Sequence, residues 1–481
     1  MAKKQAKVNS LRPTQKRETN GDDEKIIQLI KNSPHEKIKV AVTDIDGVLR
    51  GKYLRKEKFL SALSTGFGFC NVVFGWDSAD VCYDNGHYTG WHSGYPDATA
   101  MIDLATYREV PWDNSVPFFL ADFVDADKNP LEVCPRQLLK QVLAKATSMN
   151  FKPMVGMEYE WFNFKETSES WAAKGYHSPT PLTPGMFGYS IIRTAANQPF
   201  FAALMDEMNA FRIPVEGLHT ETGPGVFEAA ILYSEALEAA DRAVLFKTAT
   251  KEIGRRFGIL PSFMAKWNAK LPGCSGHLHQ SLWSSDTTKD DGAKNLFYSE
   301  KGGKVPSAHM SPIFESYLAG QLALLPEILP LLAPTVNSYK RLVDGFWAPT
   351  KTTWGVDNRT VACRVIPGSS KSTRLETRVP GSDVNPYLSM AACLAAGLYG
   401  IEKRLKLTTN PIVGSAYHDE TSERLPRSLQ DATARLSQSK VVHEILGSTF
   451  VDHFVKTREW EWRQFQDSVT QWELERYFEI I

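Results

Sequence analysis

The segment "GMEYEWFNF" (156–164) constrains the fold more than any other, because it places two carboxylates in an apolar, strand-like run. Glu158 and Glu160 are two positions apart, and a strand directs such residues to the same face. Two unpaired carboxylates on a buried face are costly, and a divalent cation is a usual remedy. An exposed edge strand with two solvated acids is the alternative, and this segment alone does not decide between them.

Two later segments repeat this spacing of polar groups. "GLHTETGPGVFEAA" places Glu221 and Glu228 on either side of a Gly-Pro-Gly turn, so a hairpin would bring them together. "GHLHQSL" places His277 and His279 two apart, although a single histidine is more often a buried core residue. Each segment is ambiguous when it is considered alone.

The segment "RLETRVPGSDVNPY" alternates Arg374, Glu376 and Arg378, which a strand would direct to one face. A salt-bridge ladder is the simpler explanation. Taken together, however, the segments supply five glutamates and a histidine followed by arginines. Hard oxygen ligands with one imidazole suit Mg²⁺ or Mn²⁺, and arginines beside such a cluster suit phosphoryl transfer.

Composition limits the classes of protein that need considering. Lys+Arg and Asp+Glu both number 55, which argues against a general nucleic-acid binder, and no apolar run is long enough for a membrane span. The six cysteines form no CxxC pair, which suits reduced thiols in the cytoplasm and makes a zinc site improbable. Residues 1–24 lack an apolar core and are predicted to be a disordered tail.

The chain is predicted to divide near residue 130. Residues 38–55 read as two strands joined by an Asp-Gly turn, and Pro135 stands where a helix with apolar residues at helical spacing would begin. We therefore expect an N-terminal domain over 25–130 and a larger domain over 131–481.

The order of six motifs resembles the type I branch of the glutamine synthetase superfamily. These motifs are "GMEYEW", "HTETGPGVFE", "GHLHQSL", "NSYKRLV", "DNRTVACRV" and "RLETRVPGSDVNPYLSMAA". The resemblance implies an α+β fold with an N-terminal β-grasp domain and a catalytic domain built on a curved antiparallel sheet flanked by helices. It also implies a homododecamer of two hexameric rings with active sites between subunits.

The resemblance assigns roles position by position. The implied ligands of two metal ions are Glu160, Glu221 and Glu228 for the first ion and Glu158, His277 and Glu376 for the second. The implied glutamate-binding residues are Gly273, Arg341, Arg359 and Arg378, and the implied ATP-binding residues are His279, Ser281, Arg364, Lys371 and Arg374. The cofactors would be two or three Mg²⁺ or Mn²⁺ ions per site, with ATP and L-glutamate as substrates.

The implied reaction joins the γ-carboxylate of glutamate to an amine through γ-glutamyl phosphate. The implied catalytic residues are Arg341, Arg359 and Glu221, with Asp77 from the N-terminal domain of a neighbouring subunit. Asp97 matches a second acid near the amine, and the aromatic loop 82–96 between these acids is longer than in the family.

Three departures from the family pattern concern the amine. Trp347 stands where ammonia-using members carry a glutamate in the flap over the acyl phosphate, and an indole cannot accept a proton in its place. Met186 and Phe187 stand near the expected tyrosine of the ammonium pocket, and Pro272 replaces an asparagine. Bulk and apolar area suit an organic monoamine with an apolar or aromatic body.

Other functions stay open at this point. They are an ordinary glutamine synthetase that uses ammonia, a γ-glutamylpolyamine synthetase, and a non-enzymatic relative on the same fold. The intact acids and arginines argue against the last of these. A separate alternative is the DxDG pattern of "VAVTDIDGVL", in which Asp44 would be a phosphatase nucleophile and Asp46 an acid/base, unless it is simply a hairpin turn.

Overall fold

The computed structural model describes residues 21–285 and 293–481, and its N-terminal part is a five-stranded sheet. The strands are β1 (Lys37–Thr43), β2 (Leu49–Arg55), β3 (Phe67–Cys70), β4 (Asp97–Val110) and β5 (Val116–Val124). Their order is β2-β1-β5-β4-β3, with β1 and β5 parallel and the other pairs antiparallel. Helix α2 (Lys56–Thr65) packs on this sheet through Phe59 and Phe119, which gives the predicted β-grasp arrangement.

The N-terminus differs in one respect from the sequence prediction. Helix α1 (Gly21–Asn32) includes residues 21–24, which were predicted to belong to the tail. Asp22, Asp23 and Glu24 lie in its first turn, where negative charge is favourable. Residues 1–20 of the predicted tail lie outside the described residues.

The C-terminal part is built on a nine-stranded sheet. Its strands are β6 (Phe151–Phe164), β7 (Val215–Thr220), β8 (Val226–Ile231), β9 (Ser234–Glu235), β10 (Leu260–Ser262), β11 (Gly276–Ser284), β12 (Trp354–Val356), β13 (Cys363–Ile366) and β14 (Arg374–Thr377). The order is β12-β13-β14-β11-β6-β8-β7, with β9 and β10 also pairing with β6. Only β12 and β13 run parallel among the described pairs of this sheet, so the antiparallel prediction is confirmed.

Twelve helices are described in the C-terminal part, and several of them surround a buried central helix. They are α3 (Pro135–Ser148), α4 (Ser168–Ala173), α5 (Ile191–Ala196), α6 (Gln198–Ala210), α7 (Ala236–Arg256), α8 (Pro312–Leu332), α9 (Ser338–Arg341), α10 (Pro386–Glu402), α11 (Leu429–Gln438), α12 (Lys440–Leu446), α13 (Ser448–Asp467) and α14 (Gln471–Tyr477). Helix α10 is buried against α8, α3 and α7, and α3 begins at Pro135 as predicted. None of the helices described here is long and apolar enough to cross a membrane.

A buried ion network links the five-stranded sheet to the C-terminal helices. Arg136 of α3 donates to Asp241 of α7 at 2.8 Å, and to Asp103 of β4 and Asp122 of β5 at 2.9 Å. The Tyr387 hydroxyl of α10 donates to the same Asp241 at 2.6 Å. Burying a charge requires such pairing, so this network fixes how the N-terminal sheet sits on the helices. The division into two domains near residue 130 stays a prediction.

The hairpin that carries the DxDG pattern lies against helix α13 and the start of α10. The Asp44 carboxylate accepts the backbone N–H groups of Asp46 and Val48, and the Arg50 guanidinium donates to it at 2.9 Å. Arg458 donates to Asp46 at 2.7 Å. Burial, together with the Asp46 charge, raises the pKa of Asp44 to about 7. Because both carboxylates are committed to the turn and its ion pairs, the geometry favours a hairpin turn over a phosphatase nucleophile.

The aromatic loop 82–96 packs mainly on α13 of the same chain. Tyr83 contacts Trp460 with ring centroids 5.9 Å apart, and Tyr88 contacts His453 at 6.0 Å. Trp91 is exposed and packs edge-on against Tyr95 within the loop. This loop therefore forms a contact between the N-terminal part and helix α13.

Candidate active site

One face of the nine-stranded sheet carries a row of charged side chains across neighbouring strands. His277 of β11 lies opposite Glu158 of β6, and His279 of β11 lies opposite Glu376 of β14. Arg364 of β13 lies opposite Glu376 from the other side. We call this set, with the adjacent arginine, the strand cluster: Glu158, His277, His279, Arg364, Glu376 and Arg378.

The strand cluster is joined by hydrogen bonds between oppositely charged groups. Glu158 lies 3.0 Å from His277 Nδ1 and 3.3 Å from His279 Nε2, while Arg378 donates to Glu376. Burial opposes ionisation of Glu158, but the two imidazoles hold its pKa well below the usual range. Burial also opposes ionisation of Glu376, but His277 and Arg378 lower its pKa to about 2. Both carboxylates are therefore charged and fixed before any ligand arrives.

The opposite face of the same strands is held by a buried polar network. Gln280 of β11 donates to Thr377 of β14 at 2.9 Å and accepts from Tyr317 of α8 at 2.6 Å. Thr377 donates to Gln321 of α8 at 2.8 Å, and Gln321 donates back to Gln280 at 2.9 Å. Each member is satisfied by another, so the network fixes the register of β11 and β14 behind the strand cluster.

A second acidic group lies where β6 pairs with β8, on the opposite edge of β6 from β11. Glu160 of β6 lies opposite Glu228 of β8, and the ligand atoms of His219, Glu221 and Glu228 lie within 4.8 Å of one another. The predicted hairpin thus brings Glu221 and Glu228 together. His219 of β7 was missed by the sequence analysis, although its spacing of two from Glu221, which follows β7, is the same signal that was used for the other pairs.

The second group contains more carboxylates than positively charged side chains. Burial and the neighbouring Glu158 and Glu160 raise the pKa of Glu228 to about 7. Burial lowers the pKa of His219, but its hydrogen bond to Glu228 outweighs this and raises that pKa to about 9. The accumulated negative charge on this side of β6 is what a divalent cation would neutralise.

The donor sets therefore fit the implied metal ions, and the individual ligands stay predictions. The ligand atoms of Glu158, His279 and Glu376 lie within 4.8 Å of one another, and His277 Nδ1 lies 3.0 Å from Glu158 and 3.4 Å from Glu376. In the other set His219 lies close to Glu221 and Glu228, and Glu160 accepts the Ser275 N–H at 2.6 Å. His277 Nε2 is a buried atom without a partner among the described residues. Carboxylates with one imidazole remain the ligands that Mg²⁺ and Mn²⁺ prefer.

A cavity of about 300 Å³ opens beside both acidic groups. All four predicted glutamate-binding residues line it: Gly273, Arg341, Arg359 and Arg378. Arg341 is buried and donates to the carbonyls of Val379 at 2.8 Å and Arg378 at 3.2 Å. The exposed Arg359 forms neither a salt bridge nor a hydrogen bond with any described residue. The arrangement offers one rigid and one free guanidinium to an anionic ligand.

A second cavity of about 290 Å³ lies on the other side of Glu158. It is lined by four of the five predicted ATP residues: His279, Ser281, Lys371 and Arg374. Arg364 does not line it and instead donates to Glu376 at 2.9 Å. Tyr233 and Glu216 also line it and were missed, because neither stands in a recognisable motif. Glu158 lines both cavities.

The mouth of the first cavity is formed by aromatic residues on loops, which we call the loop wall: Tyr189, Phe346 and Trp347. Trp347 is 58% exposed and has a left-handed backbone (φ 61°), a strained conformation for a bulky residue. Tyr189 stacks on His219 with ring centroids 4.5 Å apart. Met186 and Phe187, predicted here, are exposed and do not line the cavity. Tyr189, two residues beyond Phe187, takes that place.

The two predicted acids of the N-terminal part do not line this chain's own cavities. Asp77 accepts the Trp460 indole N–H at 2.9 Å, and Asp97 begins β4 opposite Cys70. Neither residue lines the glutamate or the nucleotide cavity. A role in catalysis would therefore require them to act on another copy of the chain, and the site roles of these residues stay predictions.

Comparisons with known proteins agree with this geometry. Residues 132–477 match the family model for the glutamine synthetase catalytic domain. Type-1 glutamine synthetase 2 of Dictyostelium discoideum is 55% identical and covers 95% of this chain and 86% of its own. Glutamate–isopropylamine ligase of a Pseudomonas species is 36% identical, covering 95% of this chain and 98% of its own. A solved structure of GmaS bound to ADP has a TM-score of 0.80 at 28% identity, covering 94% of this chain and 99% of that chain.

The fold and the site define an ATP-dependent ligase that forms carbon–nitrogen bonds. The chain belongs to the glutamine synthetase family, whose members use ATP, divalent metal ions, glutamate and either ammonia or an amine. The γ-glutamylethanolamide synthetase of Streptomyces coelicolor, 36% identical and covering 95% of each chain, is a further relative. The family resemblance is confirmed, and the nature of the amine is the question that follows.

Proposed function

We propose that the protein joins the γ-carboxylate of L-glutamate to an organic primary amine, giving a γ-glutamylamide, ADP and phosphate. The observation that carries this proposal is Trp347 at the cavity mouth, beside Phe346 and Tyr189. The carboxylates that line this cavity are Glu158, Glu160, Glu221 and Glu228, and all four belong to the two acidic groups. Phe346 and Trp347 therefore offer apolar area to the carbon part of an amine, beside the carboxylates that its nitrogen needs.

The first step activates glutamate. Arg341 and Arg359 hold its carboxylates, while ATP occupies the cavity that contains Ser281, Lys371 and Arg374. An oxygen of the γ-carboxylate attacks the γ-phosphorus, the bond to the β–γ bridging oxygen breaks, and ADP leaves. Two or three Mg²⁺ or Mn²⁺ ions, held by the two acidic groups, would supply charge neutralisation at the phosphates.

The second step forms the amide. The amine nitrogen attacks the γ-carbonyl carbon, loses a proton, and phosphate leaves with the electrons of the carbon–oxygen bond. Glu221 lies on the amine side and is one candidate for the proton acceptor. Asp77 of a neighbouring subunit is the other, because Asp77 does not line the cavity of its own chain.

The amine is proposed to be a monoamine with an apolar or aromatic body. Each methylene buried against the loop wall would contribute roughly 0.8 kcal/mol. A polyamine would need an acid for its distal charge, and the described lining residues offer none beyond the two acidic groups. The relatives named as isopropylamine and ethanolamide enzymes make organic amines familiar substrates on this scaffold.

Ammonia is the second candidate, because the 55% identical relative is a glutamine synthetase by name. In that case Trp347 would be a tolerated change in the flap. A γ-glutamylpolyamine synthetase is a third candidate. The same assay separates all of them.

We also propose a cytoplasmic homododecamer of two hexameric rings with active sites between subunits. The position of Asp77 and Asp97 outside their own chain's cavities supports sites shared between copies. The six cysteines are all unpaired, and four of them are buried, which suits a reducing compartment. Light scattering of the purified protein would test the stoichiometry.

An amine panel tests the proposed function. The purified protein is given ATP, glutamate and Mg²⁺ or Mn²⁺ with ammonia, isopropylamine, ethanolamine, benzylamine, aniline or putrescine, and amide and phosphate are measured. We expect the highest kcat/KM with an apolar monoamine. A higher value with ammonia or putrescine would select the corresponding alternative, and no amide with any amine would indicate a non-enzymatic relative.

A further inference from the structure

Lys266 is a buried lysine next to the glutamate cavity that has no role in the chemistry above. Its backbone is held on both sides by Asn337, which accepts the Lys266 N–H at 2.8 Å and donates to the Lys266 carbonyl at 2.7 Å. Asn337 precedes α9, the short helix that carries Arg341. The neighbouring Ala265 carbonyl accepts the N–H of Cys274, next to Gly273. The Lys266 backbone is therefore fixed to the glutamate-binding side of the site.

The ammonium group of Lys266 lacks an ionic partner. The side chain belongs to a residue only 5% exposed, and it forms no salt bridge or hydrogen bond with any residue of 21–285 or 293–481. Its contact is with the ring of Phe346, whose centroid lies 4.2 Å from Nζ. Burial and the charge of the nearby Arg341 both lower the pKa of Lys266, and none of the described residues gives it an ion pair. A desolvated ammonium on an aromatic face is a favourable cation–π contact.

Phe346 is the residue before Trp347 in the loop over the cavity. This loop is attached at its other side through Asp344, to which Thr350 and Arg424 donate. Gly345 and Trp347 both have left-handed backbones, so the loop between these attachments is sharply bent and strained. A strained loop needs contacts that hold it in place, and the Phe346 ring supplies one on the cavity side.

We infer that Lys266 is a positioning residue that holds the flap over the acyl phosphate by binding the face of Phe346. Lys266 does not line the cavity, so it acts through Phe346 and not on the substrates. When the contact is lost, the flap opens more often and water enters. Water then attacks γ-glutamyl phosphate, glutamate and phosphate are released, and ATP is consumed without an amide being formed. This inference rests on the proposed acyl-phosphate chemistry but is independent of which amine is used.

The test measures glutamate-dependent phosphate release in the absence of amine. Lys266→Met and Phe346→Leu should each raise this leak about fivefold or more, because a desolvated cation–π contact is lost. The double variant should leak no more than either single variant, since both remove the same contact. Lys266→Arg should restore the wild-type leak, because a guanidinium also binds an aromatic face. Lys270→Met, at an exposed lysine four residues on, is the matched control and should leave the leak unchanged.

Other outcomes would overturn the inference. Phe346→Leu keeps the lysine and its fold contacts. An unchanged leak in this variant would exclude a role of the Lys266–Phe346 contact in holding the flap, even if Lys266→Met were poorly folded. A raised KM for glutamate in Lys266→Met with an unchanged leak would make Lys266 a substrate-binding cation instead. If the wild-type protein shows no glutamate-dependent turnover at all, the proposed function fails, which is a different result from turnover without a change in leak.

Discussion

The strand cluster and the loop wall form two sides of one site, and they are built in opposite ways. The side chains of the strand cluster stand on β6, β11, β13 and β14 or directly after β14, are paired with one another, and are supported from behind by the Gln280 network. The residues of the loop wall stand on loops, and Trp347 and Tyr189 are largely exposed. One side is rigid before ligands bind, whereas the other is attached at few points.

This difference separates the chemistry that the family shares from the choice of substrate. Phosphoryl transfer needs charges held at fixed positions, and adjacent strands provide them with little freedom. Loops accept substitutions without disturbing the sheet, so specificity can change there. Four predictions test whether the two sides are as separate as their construction indicates.

Glu158→Gln should have the largest effect. It replaces the carboxylate that pairs with both imidazoles and lines both cavities with a neutral amide. We therefore expect kcat/KM to fall on the order of 100-fold or more. Phosphate release with glutamate, ATP and amine measures this. Glu235→Gln on β9, which also pairs with β6 but carries an exposed carboxylate, should stay within about twofold. Retention of more than a tenth of the activity in Glu158→Gln would show that the strand cluster is not the phosphate side.

Trp347→Glu should change substrate preference. A carboxylate at the flap supplies the acceptor that ammonium needs, so the ratio of kcat/KM for ammonia to that for an apolar amine should rise about tenfold. The amine panel measures the ratio. Trp472→Glu, at a tryptophan that is also 58% exposed, is the matched control. An equal loss for every amine and for ammonia would mean that Trp347 only supports the loop.

Tyr189→Ala should weaken amine binding by a smaller factor. Loss of the ring that stacks on His219 should raise the KM for the amine several-fold, roughly five times, while the KM for glutamate changes little. Tyr189→Phe keeps the stack and should stay close to the wild-type value. A change confined to the KM for glutamate would show that Tyr189 contributes to glutamate binding and not to amine binding.

Tyr317→Phe should have the smallest effect on turnover and a measurable effect on stability. It removes a buried donor to Gln280, so the free energy of unfolding should fall by about 1 kcal/mol, and kcat should change by less than about threefold. Denaturant unfolding measures this. Tyr53→Phe, at an exposed tyrosine that donates to Asp113, should cost less than about 0.5 kcal/mol. Equal costs in the two variants would argue against a special support behind the strand cluster.

Much of the strand cluster was predictable because strand alternation is local. The spacing of Glu158 and Glu160, and of His277 and His279, places each pair on one face whatever the rest of the chain does. The helix at Pro135 follows from an equally local pattern. The amino-acid sequence by itself therefore determined which residues share a face and where this helix begins, and it placed the chain in its family.

Only the tertiary structure decided which of these faces meet. Strand β6 lies between β11 and β8, so Glu158 contacts His277 and Glu160 lies opposite Glu228, and no local pattern specifies that order. Tyr189 reaches His219 for the same reason. Lys266 and Phe346 are 80 positions apart, and they meet where Asn337 holds the Lys266 backbone. Strand order, loop conformation and long-range contacts depend on the packing of the whole chain. They determine which residues form the loop wall.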